Sequence, residues 1–330
     1  MKRILAILAI LLLAVCAAAA FSFYQPYARF GRNTFVQLDR GSGTVEIGRT
    51  LAQAGVVRYA WQFWTERALN PSAKIQAGEY QFTRPATAAE VFDRLARGDV
   101  YYFPFTVPEG SNMFEIAGAL EASGVMPAAD FLQAASDPAP IRDLAPSAKS
   151  LEGFLFPSTY RLTHSTTAAE LCRMMTSEFR KEWKKAAAGS SADPRRTVTL
   201  ASLVEKETGI PAERPLVAGV FENRLKQGML LQCDPTAIYA ALLENRYRNV
   251  IHRSDLASQN AYNTYQHAGL PPGPIANPGL DSINAALHPA ETKFLYFVAK
   301  PDGHGHQFST TLAAHHNAVH QYRKKARKTI

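Results

Sequence analysis

Cysteine is scarce in this chain: three residues in 330, at positions 16, 172 and 233. Cys16 falls in an apolar run, so the body of the chain has only Cys172 and Cys233, enough for one disulfide at most. That excludes a disulfide-stapled scaffold; the two thiols either pair or stay free and buried. No cysteine or histidine spacing forms a metal knuckle. His304, His306, His315, His316 and His320 gather near the end, but no acidic residue stands near them at a ligand-motif spacing. Neither a metal nor any other cofactor is expected. Acidic residues are in deficit, 28 against 36 Lys and Arg, for a net charge of +8. Such an excess suits nucleic acid, anionic lipid or an acidic polymer. Part of it sits in the run Arg323-Lys-Lys-Ala-Arg-Lys328, which as a solvated tail names no partner.

What is present reads as a folded, exported protein. A hydrophobic content of 47% with 20 prolines fits a globular body, and 330 residues suggest more than one folded unit. Lys2 and Arg3 precede an apolar run from Ile4 to Ala20, extended by Phe21-Ser-Phe-Tyr24. About 20 apolar residues can span a bilayer, and charges placed first keep the N-terminus inside and send the rest across. Phe21, Phe23, Tyr24 and Tyr27 have the character of an interfacial aromatic belt. A retained single-pass anchor over residues 1–24 is the favoured reading, and a signal-peptidase site at Ala17 to Ala20 is the alternative. Leu13-Ala-Val-Cys16 lacks the small residue that a lipoprotein box needs before its cysteine. Export argues against a nucleic-acid partner.

A small α/β module follows over residues 33–104. Phe35, Val36 and Leu38 read as a strand, Arg40 to Thr44 as a turn, and Ile47 and Leu51 as a helix closed by Gly55. Trp61, Phe63 and Trp64 begin another helix, residues 75–82 alternate as a strand, and 87–95 form a helix closed by Gly98. Residues 41–56 then align without gaps to residues 110–125, an offset of 69, and the preceding strand recurs at 103–107. No third copy exists, so a solenoid is excluded. Such strand–helix units resemble the LysM-like fold that binds glycan strands; a plain α+β support domain fits the same pattern.

Residues 105–330, with the second strand–helix unit at 105–135, read as a mixed α+β domain. Its centre is the stretch 197–209, a helix ended by Gly209 and stopped by Pro211. Leu200, Leu203, Val204 and Glu207 share one stripe, while Glu205 and Lys206 point elsewhere. Burial and the helix C-terminus both disfavour an anion at Glu207, which is what a general acid needs. The same pattern also fits an amphipathic surface helix with a carboxylate at its edge. Glu152, in an aromatic stretch, is a second acid or a packing hydrogen bonder. Gly189 to Pro194 read as a flexible break after a helix over 166–185. Glu213, opening a helix to Gln227, stays ionised near Glu207 or merely caps. Asp234 as N-cap with Pro235 at N1 starts another helix and leaves Gln232 free to face a groove. Tyr262, Asn263 and Tyr265, just before the rigid loop 269–279, suit sugar rings or ordinary turn packing. A short helix at 281–287 precedes a hairpin of 294–299 with 306–309 across 300–303.

Several long motifs carry a family likeness. They are Leu151-Glu-Gly-Phe-Leu-Phe-Pro-Ser-Thr-Tyr160, Ala201-Ser-Leu-Val-Glu-Lys-Glu-Thr208 and Glu213-Arg-Pro-Leu-Val-Ala218. Asn223-Arg-Leu225, Gln232-Cys-Asp-Pro-Thr236, Tyr262-Asn-Thr-Tyr265, Gly269-Leu-Pro-Pro-Gly-Pro-Ile275 and Leu287-His-Pro289 continue the order. From about residue 35 to 325 the chain resembles the YceG-like endolytic murein transglycosylases of the MltG type. The resemblance implies an inner-membrane anchor, a LysM-like N-terminal module and a periplasmic catalytic domain. It implies cleavage within nascent peptidoglycan glycan strands to leave 1,6-anhydro-N-acetylmuramic acid ends, with peptidoglycan synthases as candidate partners. It places the catalytic acid at the second Glu of Glu-Lys-Glu-Thr, here Glu207. Glu213, Gln232, Asp234, Tyr262, Asn263 and Tyr265 are the candidate substrate-binding residues. Cys233 departs from the Thr often found there, which touches only local packing or a minor hydroxyl contact. A water-using muramidase with Glu213 or Glu152 as second carboxylate, and a non-catalytic glycan-binding scaffold, are the competing expectations.

Overall fold

Residues 2–300 and 302–326 are described by the computed structural model. Pro301, in the expected hairpin turn, and Arg327 and Lys328 of the basic run lie outside the described residues. The fold is mixed α+β and divides into two units, Met1–Pro104 with Arg161–Ser165, and Phe105–Tyr160 with Thr166–Ile330.

In the first unit, helix α1 (Lys2–Tyr24) is long and apolar enough to cross a membrane, and its apolar window is wholly exposed. Its last turn is tied down: the Gln62 amide donates to the Ser22 carbonyl at 2.8 Å. Strand β1 (Thr34–Leu38), helices α2 (Thr44–Gln53) and α3 (Ala60–Leu69), strand β2 (Gly78–Phe82), helix α4 (Ala88–Arg97) and strand β3 (Phe103–Thr106) follow. β1 and β2 pair antiparallel, with Thr34 opposite Phe82 and Leu38 opposite Gly78. The alternating inward residues Val36, Leu38, Tyr80 and Phe82 meet Leu51, Phe63, Phe92 and Leu95 from the helices in one core. Each such buried side chain contributes about 1.5–3 kcal/mol. Local signals end the elements as expected: Thr87 and Glu90 form a capping box, and Gly98 closes α4 in the left-handed region at φ 72°. His164 belongs to this unit, its ring stacked on Tyr101 at 5.7 Å and its Nδ1 3.1 Å from Glu79.

The second unit holds helices α5 (Met113–Ala122) and α6 (Ala128–Ala135), the first two residues of strand β4 (Thr159–Leu162), and helices α7 (Ala168–Ala186), α8 (Pro194–Glu207) and α9 (Arg214–Lys226). Helices α10 (Asp234–Leu243), α11 (Arg253–Leu256) and α12 (Leu280–Leu287) lead to strands β5 (Tyr296–Ala299) and β6 (His306–Ser309) and helix α13 (Leu312–Ala326). β5 pairs antiparallel with β6. The sequence repeat is expressed in helix length: α5 begins and ends 69 residues after α2. α8 packs against α9, α10 and α12.

Two expectations are corrected here. Asp193 and Pro194 do not end a flexible break; they start α8, Asp193 accepting from the backbone N–H of Arg195 at 2.8 Å. The loop 269–279 is no groove rim, because Pro271 and residues 273–279 are buried. Asn277 within it accepts from the Leu155 N–H at 2.9 Å and donates to Ser111 O and to Glu152, each at 2.9 Å. Its rigidity serves the core.

Candidate active site

Helix α8 delivers the candidate acid. Every residue from Thr197 to Val204 is buried. Its polar members turn back on the helix, Thr199 to Arg195 O and Ser202 to Thr199 O, each at 2.7 Å. α8 is therefore a buried strut and not an amphipathic surface helix. It ends at Glu207, where Thr208 turns extended (φ −144°, ψ 129°), and Gly209 takes no left-handed conformation.

The stripe argument for Glu207 also needs correction. The Glu205 side chain is only 6% exposed, so it is not turned out to solvent. It is compensated instead, by Arg214 Nη2 at 3.2 Å and the Gly279 N–H at 2.9 Å. Glu207 is partly buried, and among the described residues no cation stands within ion-pair distance of it. Compensation, not burial, separates the two carboxylates. Burial raises the Glu207 carboxyl above its usual range and Asp234 raises it further; the Cys233 thiol, His306 and Arg224 pull it down without cancelling the rise. The partial negative charge of the α8 C-terminus acts in the same raising direction.

Glu207 opens onto a cavity of about 320 Å³ whose polar lining is Arg224, Gln232, Cys233, Asp234, Tyr265 and His315. The Gln232 turn is built for exposure of its side chain. Gln232 is held in the left-handed region (φ 52°), which a residue with a Cβ adopts at a cost. Backbone bonds keep it there: Gln232 N–H to Thr264 O at 3.1 Å, and Cys233 N–H to Thr264 Oγ1 at 3.1 Å. Cys233, not Asp234, is the N-cap of α10, and Asp234 makes no capping bond. Its carboxylate instead accepts from the Tyr265 hydroxyl.

The other expected residues fall elsewhere. Asn263 is fully buried, its amide directed at the carbonyls of Asp255, Leu256 and Ser258 and its Oδ1 accepting from the Tyr265 N–H at 3.1 Å. It shapes the loop that presents Tyr265 and has no group left for a ligand. Tyr262 packs on Tyr239 with ring centroids 5.1 Å apart and does not line the cavity. Glu213 stands at the N-cap position of α9, at the end of a short 3-10 turn, but its carboxylate makes no capping bond and accepts instead from both the N–H and Nδ1 of His306 at 2.7 Å. Burial alone would raise Glu213, but the bonds from His306 hold it below the usual range. The carboxylate that raises Glu207 is Asp234, not Glu213. Glu152 is buried far from solvent, accepting from Met113 N–H and the Tyr239 hydroxyl at 3.0 Å each, and burial pushes it up to about 7. It is a packing hydrogen bonder.

Arg224, His306 and His315 were not legible as site residues. Arg224 lies within a recognised motif, but its place depends on a carbonyl far along the chain as well as a near one: Nε donates to Leu295 O at 2.7 Å and Nη1 to Leu231 O at 2.9 Å. A histidine in a sequence suggests a metal ligand first, and among the described residues no cluster of three or more His, Cys, Asp or Glu is placed to hold a metal. Cys172 and Cys233 are both free.

The chain is similar to known proteins. The YceG-like family profile matches residues 36–321. A protein from Bacillus subtilis named endolytic murein transglycosylase is 30% identical over 321 residues, covering 91% of this chain and 88% of its own. One of the same name from Streptococcus pneumoniae is 29% identical over 298 residues, covering 80% of this chain and 54% of its own. The crystal structure of a yceG-like protein from Listeria monocytogenes superposes with a TM-score of 0.58 at 28% identity, covering 86% of this chain and 98% of that one. Since the matched span contains every element that builds the Glu207 cavity, the chain belongs to the YceG-like family.

Proposed function

We propose that this protein is an endolytic murein transglycosylase that cleaves the β-1,4 bond between N-acetylmuramic acid and N-acetylglucosamine in nascent glycan strands. The observation that carries the reading is Glu207: a partly buried carboxyl, raised in pKa, facing a cavity and lacking a cation partner among the described residues. Held protonated, Glu207 gives its proton to the glycosidic oxygen as the C1–O bond breaks. The C6 hydroxyl of the same muramic residue then bonds to C1, and its proton passes to the Glu207 carboxylate. No water is consumed, and the product ends in a 1,6-anhydro ring. An intramolecular nucleophile removes the cost of bringing in a second reactant. Gln232, Asp234 and Tyr265 orient the sugar at the cavity wall. The relatives' names support the same activity.

The setting follows from α1 as a retained inner-membrane anchor, with the rest of the chain in the periplasm beside peptidoglycan synthases. The first unit serves as a LysM-like glycan-binding module. Asp234 is the one other carboxylate among the residues lining the cavity, so a hydrolytic muramidase would use it to activate water. Mass spectrometry of digested, uncrosslinked glycan strands decides. Anhydro ends from wild type and none from Glu207→Gln support the proposal. Reducing ends favour the muramidase, and binding without cleavage favours a scaffold.

A further inference from the structure

His315 is the residue of this cavity that the mechanism above leaves idle. It comes from α13, at the far end of the chain from α8, yet lines the same space as Glu207. Its ring stacks on Tyr296 with centroids 5.2 Å apart and planes 22° apart. Arg224 in turn lies over the Tyr296 ring at 5.1 Å. Stacking thus sets the plane of the imidazole, a task more often left to a hydrogen bond at one ring nitrogen. That bond is missing: Nδ1 is buried and has no partner among the described residues. A buried polar atom without a partner costs stability, and a ring that served only to fill space would be better made of carbon.

Protonation of both nitrogens would strand an N–H at Nδ1. Burial, with His316 and Arg224, holds the pKa of His315 below the usual histidine range, in agreement with a neutral ring. Of the two neutral tautomers, the one protonated at Nε2 strands a lone pair rather than an N–H, and orphaned donors are the rarer in folded proteins. Nε2–H is then the atom through which His315 acts. In the same cavity the Gln232 side chain is exposed and makes no hydrogen bond among the described residues. Two uncommitted polar groups therefore face the space beside the candidate acid.

We propose that His315 is a further substrate-binding residue of the Glu207 cavity, donating a hydrogen bond from Nε2 to a hydroxyl or acyl oxygen of the bound sugar. The proposal rests on the transglycosylase reading for its ligand. Kinetics on uncrosslinked glycan strands test it with two substitutions of opposite character. His315→Phe keeps the stack on Tyr296 and removes the donor; His315→Gln removes the ring and keeps a donor. Expected is a roughly tenfold fall in kcat/KM for His315→Phe, the size of one lost hydrogen bond, seen mainly in KM, at unchanged or raised Tm. His315→Gln recovers most of that loss. Wild-type kinetics in His315→Phe, or equal loss in both variants, overturns the proposal. Glycan binding is measured in parallel by calorimetry in the Glu207→Gln background, below the melting range. Weaker binding on adding His315→Phe supports the contact even where a variant is less stable, and unchanged binding overturns it. Cleavage that persists in Glu207→Gln sinks the catalytic reading alone, since the binding comparison still decides His315.

Discussion

Glu205 and Arg214 form a buried ion pair at 3.2 Å, with side chains 6% and 7% exposed, while Glu207 two residues on has no such partner among the described residues. One helix end therefore carries a paired carboxylate and an unpaired one. Arg214 also meets Asp281 at 3.1 Å and Glu109 at 3.6 Å, which makes Glu205 part of a charge cluster.

The two carboxylates should separate cleanly on mutation. Glu205→Gln breaks a buried pair and is expected to cost about 3 kcal/mol, the low end for such changes because Arg214 keeps two other partners. Glu207→Gln removes an uncompensated acid and should leave stability unchanged or raised while abolishing cleavage. Urea unfolding of both variants checks this, and the reverse ranking would sink the distinction drawn between them.

Activity should have a basic limb set by Glu207. Its raised pKa keeps the acid form populated at higher pH, so kcat/KM falls as pH rises through that value. Asp234 is one of the causes of the rise, so Asp234→Asn should move the limb to lower pH. A pH–rate profile of the two proteins tells; an unmoved limb removes Asp234 from the account.

Glu152 predicts a pH-dependent stability. Its folded pKa is raised from 4.5 to about 7. Between those values the unfolded chain has released the proton and the folded one keeps it, so stability is full below pH 4.5 and declines towards pH 7. The decline amounts to roughly 3 kcal/mol, from about 1.4 per pKa unit. Glu152→Gln should flatten that slope. Chemical denaturation across the range provides the comparison.

Gln232 sits in a strained conformation at φ 52°. Gln232→Gly relieves the strain, worth about 1–2 kcal/mol, against a loss of up to about 1 kcal/mol in chain entropy. The expected outcome is an unchanged or slightly higher Tm with reduced kcat/KM, read by calorimetry and glycan digestion.

Asn263 and Tyr265 should behave oppositely despite their adjacency in one motif. Asn263→Ala leaves buried carbonyls of Asp255, Leu256 and Ser258 short of a donor and should cost about 1–3 kcal/mol or more. Tyr265→Phe loses one hydroxyl bond to Asp234 at the cavity wall and should lower kcat/KM about tenfold with little change in Tm.

Much of the fold was written locally. The paired strand–helix units were visible because glycine, isoleucine and leucine recur at an offset of 69, and α2 and α5 obey it at both ends. Two Asp-Pro pairs show the limit. At 234 the pattern predicts a cap and the aspartate makes no capping bond; at 193 the pattern predicts a break and the aspartate caps α8. Both start helices, but whether the aspartate turns to its own backbone depends on what else it can reach, and Asp234 reaches the Tyr265 hydroxyl.

Sequence by itself determined that a carboxylate at 207 lies in the last turn of a helix with an apolar stripe, and that the chain has the YceG-like motifs in order. Periodicity reports which face of a helix is apolar. It does not report which charge lies across from that face. Tertiary structure alone decided that Glu205 is neutralised by Arg214, and that Glu213 is bound to His306. It alone brought Arg224, Tyr265 and His315 to the wall that Glu207 faces. The reason is that the free energy of a buried charge depends on its partners in space, and those of Glu207 come from residues up to 99 positions further along the chain, at His306.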